Sequence, residues 1–373
     1  MSKMDILMLN YEFPPLGGGA SPITYHLSRE LVKLGVNVDV VTMGYKGLKR
    51  FEEIDGINVY RVPCIRSKKE ICHTREMLSY DISALFLLLK LMKERKYDLN
   101  HTHFIIPCGG VSYLLKKSKD LPYIITSHGS DVPGYNPDRF SFTHRFASPF
   151  WEKIVQNSER VITPSNYLKN LILDKMQTNK IKVIPHGFNY TEFEPKEKEK
   201  RILVVSRLFE RKGVQYFLNA IKDLESDYEV VIVGEGPYKE KLLQKALDVK
   251  IDVKFVGWLD NTSEDYKNLY ETSSIFVFPS SQESFGVVLQ EAMSAKMAII
   301  TSNSSGCVET VGDAALLVRP KNSQDLKKAL VSLIENDDLR KQLAKKGRER
   351  VEKEFSWKRI ARQYLDLYEA VAS

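Results

Sequence analysis

Short apolar runs alternate with segments of helical periodicity along nearly the whole chain, and the alternation restarts once after a charged interruption. Residues 6–9, 36–42, 57–62, 97–103, 123–127, 160–164 and 182–185 read as strands, with helical spacing of apolar residues over 23–34 and 80–95. The run from Glu194 to Arg201 is too polar for a core and is the candidate linker. Beyond it, strand-like segments at 202–206, 229–233, 253–256, 275–279, 298–301 and 316–318 alternate with helical ones at 214–224, 239–246, 287–295, 323–336 and 338–354. Strand and helix in alternation predict parallel sheets covered on both faces, so the fold class is α/β with two doubly wound domains, 1–190 and 191–357. In such a chain, ligands are expected in loops at the C-terminal ends of strands, where two such domains face each other across a cleft.

Several function classes drop out early. The longest apolar run, 82–92, is broken by Ser83 and Lys90, whereas a membrane span needs about 20 apolar residues. The opening MSKMDILMLNYEFPP reads as a first strand rather than a secretion signal. Four cysteines, Cys64, Cys72, Cys108 and Cys307, lack C-x-x-C spacing, which argues against a disulfide scaffold or a thiolate zinc site and for a cytoplasmic location. The net charge of +7 is unevenly placed: residues 1–190 hold 26 Lys+Arg against 18 Asp+Glu (+8), and the remainder 29 against 30 (−1). Part of the excess lies in Tyr45–Arg75, where cations interleave with Phe51, Ile54, Ile57 and Ile71. The stretch suits peripheral contact with an anionic membrane on its inner face, or a phosphorylated substrate, although a solvated loop is the simpler reading. No helix-turn-helix, RNP or zinc-finger signature points to nucleic acid.

Chemistry-bearing residues sit after strands. Gly17-Gly18-Gly19 precedes a helix and lets backbone N–H groups approach an anion. Val233-Gly234-Glu235-Gly236-Pro237 lacks the third glycine of a dinucleotide fingerprint and reads better as a turn beneath a nucleotide. Arg207 and Lys212, five residues apart after a strand, present a fork and a point charge suited to a leaving diphosphate. In Pro279-Ser280-Ser281-Gln282-Glu283-Ser284-Phe285-Gly286-Val287, a strand ends and a helix begins near Phe285 or Gly286, with Ser281 or Ser284 as candidate caps. Glu283 stands before that helix and Glu291 on its second turn. His101 and His103, alternating on a strand, find no third metal ligand, and Asp131 either orients His128 or organises its own turn. Leu85, Leu88, Leu89 and Met92 read as core.

Taken together, these motifs resemble retaining GT-B glycosyltransferases of family 4, over most of the chain. The resemblance rests on Gly17–Gly19, His128-Gly129-Ser130-Asp131, Ile162-Thr163-Pro164-Ser165, Ile184-Pro185-His186-Gly187, Arg207 with Lys212-Gly213, the Gly234–Pro237 turn, the Glu283-x7-Glu291 pair and Phe355-Ser356-Trp357. Ser284 and His186 depart from the residues more usual in that family, Gly and Asn. The resemblance implies two Rossmann-like domains, with a C-terminal helix at 358–373 packing back on the first. It implies that Arg207 and Lys212 bind a donor diphosphate, that Glu283 takes hydroxyls of the transferred sugar and Glu291 those of the ribose, and that Ser284, Phe285, Gly286 and Val287 offer backbone contacts. Gly18, Gly19 and Gly236 would approach the donor, His128 would lie near the sugar, and Gly257, Trp258 and Leu259 would lie near the base. The expected function is transfer of a hexose or N-acetylhexosamine from a nucleotide diphosphate sugar to an acceptor hydroxyl, small, glycan or lipid-linked, with retention of configuration and with neither cofactor nor metal. A UDP-sugar is favoured over GDP-mannose. The competing readings are a catalytically silent nucleotide-sugar-binding module and a GT-B sugar epimerase.

Overall fold

The computed structural model describes residues 3–69, 71–135 and 149–372. The chain forms two compact units, one of residues 1–187 with 357–373, the other of residues 188–356.

In the first unit, β1 (Asp5–Leu9), β2 (Asn37–Met43), β3 (Phe51–Ile54), β4 (Ile57–Val62), β5 (Leu99–His103), β6 (Tyr123–Thr126), β7 (Arg160–Thr163) and β8 (Ile181–Val183) form one sheet. Its order is β3-β4-β2-β1-β5-β6-β7-β8. Central strands are buried on both faces, as helix-covered parallel strands must be. Only β3 runs antiparallel, to β4. This edge strand is absent from the sequence reading because its glutamates hide the alternation. The Asp55-Gly56 turn, with both φ values positive, was nevertheless a hairpin signal.

The C-terminal helix Trp357–Ala372 belongs to this unit and packs on the helix Ala20–Lys33. It buries Ile360, Ala361, Tyr364, Leu365, Leu367 and Tyr368 in the same cluster as Ile6, Met8 and Leu27.

The helix Thr74–Glu94 is closed at its start by a reciprocal cap between His73 and Glu76. Its core face is Tyr80, Ala84, Leu88 and Leu91 rather than the expected stripe of Leu85, Leu88, Leu89 and Met92, of which only Leu88 is fully buried. Apolar residues surround this helix, so periodicity alone does not select the buried side. Asp81 on the same helix buries Oδ1 with no partner among the described residues, and burial pushes its carboxyl up to about 7. A folded-state value above the unfolded one costs stability as pH rises through that interval. Asp81→Asn is therefore expected to stabilise the protein by on the order of 3 kcal/mol at pH 8, with the gain shrinking towards pH 4. Urea unfolding at the two pH values checks this, and an equal or absent gain contradicts it.

The second unit holds β9 (Glu199–Val205), β10 (Glu229–Val233), β11 (Val253–Gly257), β12 (Ser273–Phe278), β13 (Ala298–Ser302) and β14 (Ala315–Val318), all parallel, in the order β11-β10-β9-β12-β13-β14. Strand order reverses between β9 and β12, and in an open α/β sheet that switch point is where C-terminal loops leave a crevice. The candidate linker is partly sheet: Glu199–Arg201 open β9. Their charges are accommodated because Arg201 reaches Glu199, Glu229 and Thr272. Lys198 donates to the carbonyls of Glu271 (2.7 Å) and Ala295 (2.6 Å), and burial pushes its ammonium down to about 7.

Candidate active site

The loops after β9 and β12 carry Arg207, Lys212 and Glu283, and they are built as one piece. Lys212 ends a short 3-10 turn, Glu210–Lys212, and Gly213 follows in a left-handed conformation. A Cβ on Gly213 would stand 2.2 Å from the Pro279 carbonyl oxygen, so only glycine fits between the two loops. The Ser281 N–H donates to the Arg211 carbonyl at 3.0 Å, tying the loops again. Lys212 Nζ then meets the Glu283 carboxylate in an ion pair whose side chains are 9% and 16% exposed. It also lies 5.3 Å from the centre of the Phe278 ring. Burial alone would raise the Glu283 carboxyl, but Lys212 and, more weakly, Arg207 bring it below the ordinary carboxylate range. Arg207 itself is exposed, its guanidinium 5.6 Å from the Phe209 ring centre.

The helix Val287–Ser294 starts directly after this loop. Gly286 is its N-cap, at φ 92°, with no side-chain cap. The expected serine caps are therefore corrected: Ser281 Oγ is turned to the Arg211 carbonyl, and Ser284 is buried. Phe285 buries its ring edge-on against Phe355, which leaves only its backbone for a ligand. The first turn of this helix directs N–H groups of Gly286, Val287 and Val288 outward, the positive end of the dipole. Glu291, one turn on, is nearly buried and accepts from Tyr266 Oη at 2.7 Å. Burial raises its carboxyl, against hydrogen bonds from Tyr270 and Tyr266. These tyrosines went unread in the sequence, although their spacing of four puts both on one face of the helix Glu264–Thr272.

The second glycine turn has a structural explanation. A Cβ at Gly234 would come within 1.9 Å of the Ser206 carbonyl oxygen, and the Leu208 N–H donates to the Glu235 carbonyl at 2.9 Å. Gly236 lies equally close against Leu208. This turn is thus the floor on which the Arg207 segment rests. Gly257 ends β11 and accepts from the Gly234 N–H at 2.7 Å, followed by the exposed Trp258 and the half-buried Leu259.

Family comparison bears directly on this arrangement. The model of glycosyltransferase family 4 matches residues 17–192, and that of glycosyl transferases group 1 matches residues 189–350. The chain belongs to glycosyltransferase family 4. An uncharacterized glycosyltransferase of Methanocaldococcus jannaschii is 29% identical over 375 residues, the whole of both chains. Sucrose-phosphate synthase from Thermosynechococcus elongatus has the same fold, with TM-score 0.83, 22% identity and 99% of each chain covered. HepE of Anabaena, crystallised with UDP and glucose, matches with TM-score 0.77 and 18% identity over 98% of this chain and 100% of its own. The two Rossmann-like units are thus those of a GT-B glycosyltransferase.

Of the site residues expected in this glycosyltransferase, Gly18, Gly19 and His128 belong to the first unit and the other twelve to the second. Gly18 donates its N–H to the Glu12 carboxylate at 3.2 Å, and Gly19 is the N-cap of the helix Ala20–Lys33. His128 belongs to a stack of imidazoles. Ring centres are 4.5 Å apart for His101 and His103, 5.3 Å for His103 and His128, and 5.4 Å for His128 and His186. His103 Nδ1 and His128 Nε2 share one hydrogen bond at 3.0 Å, and His101 bridges Tyr368 (2.6 Å) and Thr126 (2.8 Å). Burial, reinforced by mutual repulsion, depresses these groups, His101 to about 3 and His186 to about 4. Asp131 proves to be an organiser of its loop. It accepts from the N–H groups of Ile105 (2.8 Å), Gly129 (3.0 Å) and His128 (3.1 Å) and from Ser127 Oγ (3.0 Å).

The basic stretch Tyr45–Arg75 is mostly consumed by structure. Arg61 is buried against Glu52 and the Lys49 and Pro14 carbonyls, Arg66 donates to the carbonyls of Tyr11, Lys68 and Lys69, and Ile57 is core. No helix among the described residues is long and apolar enough to cross a membrane.

Proposed function

We propose that this enzyme transfers a hexose or N-acetylhexosamine from a nucleotide diphosphate sugar, a UDP-sugar before GDP-mannose, to an acceptor hydroxyl with retention of configuration. The reading rests on one observation: Lys212, Arg207, Glu283 and the start of the helix Val287–Ser294 converge at the strand-order switch of one sheet. Cleavage of the bond between the anomeric carbon and the diphosphate leaves an oxocarbenium-like sugar and a growing negative charge. Lys212, Arg207 and the helix N-terminus supply fixed positive charge for that departure, enough to do so without a metal ion. Glu283, kept ionised by Lys212, accepts hydrogen bonds from sugar hydroxyls, and Glu291, held by Tyr266, does so from the ribose. With no side-chain nucleophile assigned, the acceptor oxygen attacks the face the diphosphate leaves. Its proton passes to a departing phosphate oxygen, so the charge balances. UDP is the first nucleotide to test because the Anabaena protein of similar fold was crystallised with it.

Thermal unfolding in the presence of UDP, GDP and ADP decides among donors. At about 100-fold over its dissociation constant the correct nucleotide stabilises by roughly 2.7 kcal/mol, and Glu291→Ala abolishes that shift. With a UDP-sugar and acceptors, nucleotide release separates the enzyme from a silent binding module, and the anomeric proton coupling of the product reports stereochemistry. The reading fails if no nucleotide diphosphate raises the transition, or if the product is inverted.

A further inference from the structure

The helix Thr74–Glu94 has a second apolar face, turned to solvent. Leu78, Ile82 and Phe86 are 58%, 61% and 71% exposed, and their spacing of four aligns them along one side. Ile65 joins them at 71% exposed, because its N–H is held by Ser79 Oγ on the same helix at 3.0 Å. The loop it belongs to is fastened again where Ser67 N–H and Oγ meet the Glu76 carboxylate at 2.8 and 2.7 Å. Isolated exposed leucines are ordinary; a row of large side chains over about two turns marks an interaction surface.

Its charge selects the occupant. Arg75 is exposed at one end of the row, Lys90 and Lys93 at the other, and Lys68 and Lys69 on the fastened loop. Between residues 71 and 93 no carboxylate is exposed: Glu76 is buried and capped, and Asp81 is half-buried. A second copy docked on the same face would bring cation against cation. An anionic bilayer offers hydrocarbon for the row and headgroup charge for its rim, the pattern of a helix lying in the interface. We propose that this helix face and the Ile65–Lys69 loop form a docking surface for anionic membranes. The surface differs from the Tyr45–Arg75 stretch singled out in the sequence, and it is independent of the donor reading.

Co-sedimentation of the full chain with lipid vesicles tests it without any sugar donor. At about 0.1 M salt, the protein is expected to pellet with vesicles of mixed phosphatidylcholine and phosphatidylglycerol and to stay in solution with pure phosphatidylcholine. Ile82→Glu with Phe86→Glu removes binding, and Lys90→Glu with Lys93→Glu weakens it about fivefold for each cation lost. Both pairs keep the wild-type unfolding midpoint and the nucleotide-induced shift, since every substituted side chain is exposed. Three results overturn the proposal: no pelleting with anionic vesicles, unchanged binding by either folded pair, or a wild-type dimer that Ile82→Glu with Phe86→Glu converts to monomer while vesicles bind neither.

Discussion

Lys212→Ala lowers kcat by about a hundred- to a thousandfold, the cost of removing one preorganised charge from a developing anion. The lysine cannot be replaced by solvent, because it is nearly buried, braced on Phe278 and fixed by the Gly213 turn. Removing it also strands the Glu283 carboxylate, so part of the loss appears as instability, a few kcal/mol for a broken buried pair. Glu283→Gln separates the two contributions: it keeps the shape and the contact with Lys212 while removing the negative charge. Because both side chains share one contact, the double variant should lose far less than the product of the single losses. The measurement is kcat and the unfolding midpoint for each variant and for the pair, at a temperature where all remain folded. Either single variant turning over within threefold of wild type would remove the ion pair from the reaction.

Acid is expected to unfold the first unit well before carboxylate titration is complete. His101, His103, His128 and His186 stay neutral when folded, and His103 Nε2 and His128 Nδ1 are buried without a partner among the described residues. In the unfolded chain each takes up a proton near pH 6.5, so below that value the unfolded state binds more protons and stability falls with pH. Each group contributes about 1.4 kcal/mol per pH unit until its own depressed value is reached. Asp81 and Asp131, both raised by burial, pull the opposite way and offset part of this. The net slope below about pH 5.5 is on the order of 3 kcal/mol per pH unit, against a typical total of about 5–15 kcal/mol. Trp151 and Trp357 both lie in the first unit, so their fluorescence follows this transition. His186→Asn should flatten the slope by one group's share. A denaturation midpoint constant from pH 7 to 5 would contradict the assignment.

The doubly wound pattern was legible because buried parallel strands are short, apolar and regularly spaced, and the charged site residues because they stand at strand ends. What escaped has local causes. The helix Cys108–Lys119 opens on Gly109 and Gly110, which read as a loop, yet a Cβ on Gly109 would meet Ile154 at 2.8 Å. Glu199–Arg201 looked like a linker because strand charges paired with Glu229 and Thr272 cannot be told from solvated ones without the partners. Tyr266 and Tyr270 sit in a helix whose polar composition hid the fact that both rings turn inward towards Glu291. The histidine stack draws on three strand ends, a coincidence that only pairing reveals.

The closing helix Trp357–Ala372 gives synthesis an unusual order. Its buried tyrosines, Tyr364 and Tyr368, complete the hydrophobic interior that Ile6 and Leu27 begin, and Tyr368 holds the ring of His101. As the ribosome extrudes the chain, the first Rossmann-like half must therefore wait, partly open, until the entire second half has been translated. The nascent N-terminal half is the stage at which a chaperone has most exposed surface to hold.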